Sequence, residues 1–150
     1  MEVFNEFLFV GSPDISSYSG SVDVYRRESN GSYGLFQSLN SYSQALDSFG
    51  WDISADAQNL AISSLQSINN RGGKVSIFEN NGTNWNFSSF LFADDNHSND
   101  EFGYAIHLSG SRLLVGAPKA DANGTNSGAA YIFGKNASGW FQTQKLVPTG

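Results

Sequence analysis

The stretch Phe102-Gly103-Tyr104-Ala105-Ile106-His107-Leu108-Ser109-Gly110-Ser111-Arg112-Leu113-Leu114-Val115-Gly116-Ala117-Pro118, followed after a polar loop by Gly128-Ala129-Ala130-Tyr131-Ile132-Phe133, decides the fold. Tyr104, Ile106 and Leu108 alternate with a period of two, as do Ala130 and Ile132, and that spacing predicts strands. Gly and Pro punctuate the runs where turns are needed. Four short strands are expected here, at roughly 102–109, 111–117, 128–134 and 139–147.

The same order of signals occurs three times. Phe49-Gly50 recurs as Phe102-Gly103, 53 residues on. Val10-Gly11-Ser12-Pro13 recurs as Val115-Gly116-Ala117-Pro118, with Ile62-Ser63-Ser64-Leu65 as a degenerate middle copy. Gly20-Ser21-Val22-Asp23-Val24-Tyr25, Gly73-Lys74-Val75-Ser76-Ile77-Phe78 and Gly128-Ala129-Ala130-Tyr131-Ile132-Phe133 are spaced by 53 and 55 residues. A hairpin turn follows each: Asn30-Gly31 before Tyr33, Asn81-Gly82 before Trp85, and Asn136 to Gly139 before Trp140. Four strands in a unit of about 50 residues is the mark of a propeller blade. The expectation is an all-β chain of three four-stranded antiparallel blades, about 1–46, 47–100 and 101–150, forming one partial or assembling β-propeller segment.

The first copy is truncated. The Phe-Gly glycine stands 13 residues before Ser63 and before Gly116, and the same offset from Gly11 falls ahead of Met1. Val3 then aligns with Leu108. The array reads as a window of a longer one, or as a piece whose open blade edges pair with further copies.

Composition narrows the function. Hydrophobic residues make up 39% and aromatics 14%, too rich for a disordered chain. The net charge is −6, with only 8 basic residues, so nucleic acid is not an expected partner. There is no cysteine, which removes disulfides, thiolate zinc sites and a Cys nucleophile. No run of 18 apolar residues occurs, so membrane insertion is not expected. Met1-Glu2-Val3-Phe4-Asn5-Glu6 lacks a basic n-region and is not a secretory signal as it stands.

Phe102-Gly103, Val115-Gly116-Ala117-Pro118 and Gly128-x-x-Tyr131-Ile132-Phe133 together resemble the FG-GAP repeat of integrin α-like propellers and of bacterial and environmental repeat proteins. Gly11 and Pro13 carry the first copy's part of the likeness, and Phe49 and Gly50 the second's. The resemblance implies a closed propeller used for adhesion or for protein or glycan recognition, extracellular or at the cell surface. It also implies a Ca2+ loop between the first two strands of a blade. Ser54-Ala55-Asp56-Ala57-Gln58-Asn59 and Ser109-Gly110-Ser111 stand at that place and lack the required oxygen ligands, so this loop site is not expected.

Elsewhere, Asp94, Asp95, Asn96, Asn99, Asp100 and Glu101 form an acidic run between two blades. Hard oxygen donors suit Ca2+; the alternative is a solvated loop whose last residues cap the next strand. Asp121 and Asn123 in the loop between second and third strands offer similar chemistry. His97 could join a metal or sense pH, whereas His107 falls on the strand face opposite Ile106 and Leu108. No cofactor is called for. Nothing resembles a Ser-His-Asp set. Asn81-Gly82-Thr83-Asn84-Trp85 lacks the Asp of a sialidase Asp-box and reads as a turn. Asn30, Asn81, Asn86, Asn96, Asn123 and Asn136 begin sequons, three of them at hairpin positions where Asn is favoured by backbone geometry alone. The expected function is non-catalytic recognition. A self-assembling structural subunit and a catalytic propeller such as a glycosidase are the alternatives.

Overall fold

The computed structural model describes residues 1–13, 20–42, 47–65 and 72–149. It contains twelve strands and, among these residues, no helix. They form three antiparallel sheets of four consecutive strands. The first sheet contains β1 (Glu2–Phe4), β2 (Phe7–Ser12), β3 (Ser21–Arg27) and β4 (Tyr33–Asn40). The second contains β5 (Ile53–Ala55), β6 (Asn59–Ser64), β7 (Lys74–Asn80) and β8 (Trp85–Leu91). The third contains β9 (Ala105–Ser109), β10 (Arg112–Ala117), β11 (Ala129–Asn136) and β12 (Gly139–Leu146). These are propeller-type blades, as the repeat predicts.

The register repeats from blade to blade. Val3 lies opposite Leu8 in the first blade and Leu108 opposite Leu113 in the third, as the sequence alignment requires. A β-bulge interrupts the third and fourth strands at the same point of every blade: Val24/Tyr25, Ile77/Phe78 and Ile132/Phe133. Bulges increase local twist, so each blade is twisted at the same place. At the end of the third strand, the N–H groups of Arg27, Asn80 and Lys135 donate to Glu6, Gln58 and Ser111 in the β1–β2, β5–β6 and β9–β10 hairpins.

The blades pack face to face. Phe9, Val22, Val24 and Leu39 of the first blade share a core with Ile53, Leu60, Ile62 and Phe78 of the second. The opposite face of the second blade, through Ala61, Val75, Ile77 and Leu91, shares another with Leu108, Leu113, Val115, Tyr131 and Phe133 of the third. The middle blade is therefore covered on both sides, and every residue of β5 and β6 is buried. In the outer blades only alternate residues are buried; β9 reads Ile106 and Leu108 in, His107 out. Each fully buried Val, Leu, Ile or Phe stabilises by roughly 1.5–3 kcal/mol.

Two-sided packing also explains the degenerate middle copy. Ser54, Ser63, Ser64 and Ser76 are small enough for a blade pressed from both faces, and all are buried. Ser54 Oγ accepts the N–H of Leu108 at 3.0 Å and Ser63 Oγ accepts that of Asp52 at 2.9 Å, so their burial is compensated.

The sequence places the first strand of the third blade at 102–109, but it begins at Ala105. Glu101 has φ +55° and Gly103 φ +95°, and neither value belongs to a strand. Phe102-Gly103 is instead a tight lead-in. The surface left open at the ends of the stack is a blade face, with Leu114 45% and Leu35 61% exposed.

Candidate functional site

Antiparallel order sorts the connections by end. The β1–β2, β3–β4, β5–β6, β7–β8, β9–β10 and β11–β12 hairpins are tight and lie at one end. At the other end lie the described connections 92–104 and 118–128, with the strand ends Ser12, Ser21, Asn40, Ile53, Ser64 and Lys74. The hairpin tips are self-contained. Asn30, Asn81 and Asn136 each turn their side-chain oxygen back to a backbone N–H two residues on. Asp56 Oδ1 accepts the N–H groups of Gln58 and Asn59, capping its own turn.

The long end is built by 92–104 and 118–128 around the third blade. Lys119 joins them: its N–H donates to Asp100 O, and its ammonium lies 2.6 Å from Glu101 Oε1. Asp94 N–H donates to Gln142 Oε1 on β12. Asp95 Oδ2 lies 2.5 Å from Lys145 Nζ, and the Asp95 carboxylate also accepts the Tyr131 hydroxyl. Burial raises the Asp95 carboxyl's pKa, but the bonds from Lys145 and Tyr131 outweigh it and leave it below 3.8. Burial first, then the neighbouring Asp95 carboxylate, push the Tyr131 phenol above its ordinary 10.0.

The calcium candidates separate into different tasks. Asp100 is buried, and its Oδ2 accepts the His97 N–H at 2.8 Å. Asn96 Nδ2 donates to Gly73 O at 2.8 Å, tying the loop to the second blade. Asn99 holds a left-handed turn at φ +70°. Asp121 Oδ1 accepts Asn126 N–H within its own loop, and Asn123 Nδ2 reaches Pro148 O. Among the described residues no three His, Asp or Glu side chains converge into a metal-holding group. His107 is exposed on the open face of the third blade, opposite Ile106 and Leu108.

The fold-motif residues act together. Gly50 N–H donates to Ser63 O at 3.1 Å, and Gly103 N–H to Gly116 O at 3.0 Å. That bond gives the 13-residue spacing its cause: the Phe-Gly glycine is stitched to the second strand of its own blade. The phenylalanine ring is buried at the same time. Phe49 lies in the core shared by the first and second blades, its ring 6.2 Å from Phe78, and Phe102 in the core shared by the second and third, its ring against Tyr131 and Phe133. Phe102 N–H donates to Gly72 O at 2.5 Å, across the blade boundary. Ala117 is buried behind Gly116, and Pro118 ends the strand.

Sequence reading missed an extension of this motif. Asp47 stands two residues before Phe49, as Asp100 stands two before Phe102. The intervening Ser48 and Glu101 are both left-handed, at φ +51° and +55°. Asp47 Oδ1 accepts the Phe49 N–H and Oδ2 lies 2.8 Å from the buried Lys74 Nζ. The matching 53-residue separation of the two aspartates was the signal that could have found it. A second omission is Gln37, which brackets the Trp85 backbone: Nε2 donates to its O and Oε1 accepts its N–H, both at 2.9 Å.

Residues 85–133 match the family model of the FG-GAP repeat. The match runs from β8 through β11, one strand out of phase with the blade, and takes in Phe102-Gly103 and Gly116-Ala117-Pro118. No curated protein matches the chain.

Proposed function

The chain carries an FG-GAP repeat in propeller-type blades, and on that basis we propose that it is a non-catalytic recognition module, extracellular or at the cell surface, that binds a protein or glycan partner. The supporting observation is the asymmetry of the connections. Among the described residues the tight hairpins lie at one end, and the long connections 92–104 and 118–128 lie at the other. Rigid strands presenting long loops are the usual way a scaffold displays a binding surface. Lys119 and Glu101 hold two of these loops together, and the exposed carboxylates Asp94, Asp95 and Asp121 give the surface acidic character. Such a surface favours partners with basic or hydrogen-bonding groups.

The test is an alanine scan of 94–101 and 119–127, read by binding to a panel of surface proteins and glycans. Loss of a specific partner by at least about tenfold, roughly 1.4 kcal/mol, is the expected result. Unaltered binding across both loops, or turnover of a glycan by the unmodified protein, overturns the proposal.

A further inference from the structure

The two blade boundaries inside the chain are filled differently at the hairpin end. At the second boundary Lys135 of the third blade reaches into the second blade, its Nζ 2.7 Å from Asn59 Oδ1 and 2.8 Å from Glu79 Oε1. Its ammonium also lies 5.8 Å from the centre of the Trp140 ring. The strand register makes Asn80 the counterpart of Lys135 and Trp85 that of Trp140. It makes Phe7 the counterpart of Asn59 and Arg26 that of Glu79. The first boundary therefore has neither the lysine nor the carboxylate that receives it.

A cavity of about 310 Å³ stands in that place, lined by Phe4, Glu6, Phe7, Asp56, Asn80 and Trp85. These residues come from the β1–β2, β5–β6 and β7–β8 hairpins, so the cavity belongs to the boundary between two blades that are both present. Trp85 is 2% exposed, and its indole Nε1 donates to no acceptor. A buried donor left in this way costs stability until something accepts from it. The ring is held in place. Phe7 and Phe9 meet it edge-on at 5.9 and 5.5 Å, and Gln37 brackets its backbone.

The lining sets the chemistry of the occupant. The Glu6 and Asp56 carboxylates only accept, so the occupant must donate to them. The Trp85 indole only donates, so the occupant must also accept. Phe4, Phe7 and Trp85 add apolar ring surface. An ammonium fails on two counts. It cannot accept from the indole, and Arg26 already stands 3.1 Å from Glu6 Oε1 and 6.0 Å from the Phe7 ring centre. Hydroxyl groups both donate and accept, and a sugar ring carries several of them around an apolar C–H face. We infer that this cavity is a sugar-binding site that takes one neutral pyranose ring, with the Trp85 N–H and the Glu6 and Asp56 carboxylates as its polar anchors. The site lies at the end opposite to 92–104 and 118–128, so it stands apart from the loop reading.

The probes are the methyl glycosides of glucose, galactose, mannose and N-acetylglucosamine, each titrated into isotope-labelled protein and followed by indole and backbone N–H resonances. Trp85→Phe identifies the Trp85 indole signal. The expected result is a saturable shift of that signal with at least one glycoside, accompanied by the amides of Glu6, Phe7, Asp56 and Ala57. The Trp140 indole, also unpartnered but lying against Lys135, stays still. Asn80→Lys, which puts the second boundary's lysine into the first, and Glu6→Ala, a half-exposed change, each weaken binding at least about tenfold, with resonances away from the cavity unmoved. Silence of the Trp85 indole with every glycoside at its solubility limit overturns the inference, as do undiminished shifts in Asn80→Lys. Shifts caused by n-butylamine and by no sugar also overturn it, because the cavity is then an ammonium site. Alanine variants of 94–101 and 119–127 leave the sugar shifts unchanged, and loss of the shifts in those variants would place sugar binding at the other end and overturn it too.

Discussion

Lys74 Nζ lies 2.8 Å from Asp47 Oδ2, and the two side chains are 2% and 1% exposed. The pair ties the lead-in of the second blade to its third strand, and Lys74 also lies over the Phe90 ring at 4.8 Å. Removing one partner of a buried pair strands the other charge, at about 3–5 kcal/mol. Lys74→Met should cost that much in urea unfolding. Adding Asp47→Asn should restore most of the loss. A Lys74→Met cost no greater than that of Lys135→Met, at a more exposed pair, would show that burial does not amplify the interaction.

Phe102 is fully buried between the second and third blades, with its ring 5.5 Å from Tyr131 and 6.0 Å from Phe133. Phe102→Ala should destabilise by about 3–5 kcal/mol. Because the lost contacts span a blade boundary, hydrogen exchange should accelerate in β9 and β10 before β2 and β3. Uniform acceleration in all three sheets would show that the blades unfold as one unit.

Gly73 and Gly128 occupy equivalent positions with φ +114° and +80°. Both pay the strain of a left-handed alanine, about 1–2 kcal/mol, but only Gly73 faces a backbone carbonyl from the next blade. Gly73→Ala should therefore cost about 1–3 kcal/mol more than Gly128→Ala, the added amount being overpacking. Equal midpoints in paired denaturant curves would remove the close approach as the reason for glycine.

Tyr131 and Asp95 give opposite pH dependences. The folded chain holds the Tyr131 proton above 10.0, so its contribution is complete below that pH and is lost as pH rises toward the folded value. Asp95 is held below 3.8, so its contribution is complete above 3.8 and is lost as pH falls through the folded value. Tyrosinate absorbance of the native protein should show a late-ionising group that Tyr131→Phe deletes. Above pH 3.8 the same variant should weaken the fold less than Lys145→Ala does, because Lys145 supplies the larger share of the Asp95 shift, and the difference should shrink as pH falls and Asp95 is protonated. A titration of Tyr131→Phe superimposable on the parent would sink this account.

Gln37 makes two 2.9 Å bonds to the Trp85 backbone across the first blade boundary. Gln37→Leu leaves both Trp85 groups without that partner and should cost about 1–3 kcal/mol. Gln37→Glu keeps the acceptor alone and should fall between the two in thermal denaturation. A neutral Gln37→Leu would mean that water replaces the clamp.

Much of this was legible in the chain itself. Alternation at Ile106 and Leu108, the Asn-Gly turns and the recurrence of Phe-Gly and Gly-x-Pro determine strands, hairpins and a three-fold repeat, because local backbone preference and period-two patterning act over a few residues. The strand start at Ala105 was not legible, because the turn at Glu101 and Gly103 is held by the Tyr104 N–H on the Glu101 carbonyl and by the Gly103 N–H on the Gly116 carbonyl, a bond made only in the folded blade. Nor could sequence tell which face of each blade is covered. The row Phe9, Ala61 and Leu114 is equivalent in the repeat, yet only Leu114 is open. Sequence by itself determined the blade and its repetition. Tertiary structure alone decided that Phe-Gly of one blade closes on bare glycines of the one before, because burial of a ring and the close approach of two backbones depend on which surfaces meet.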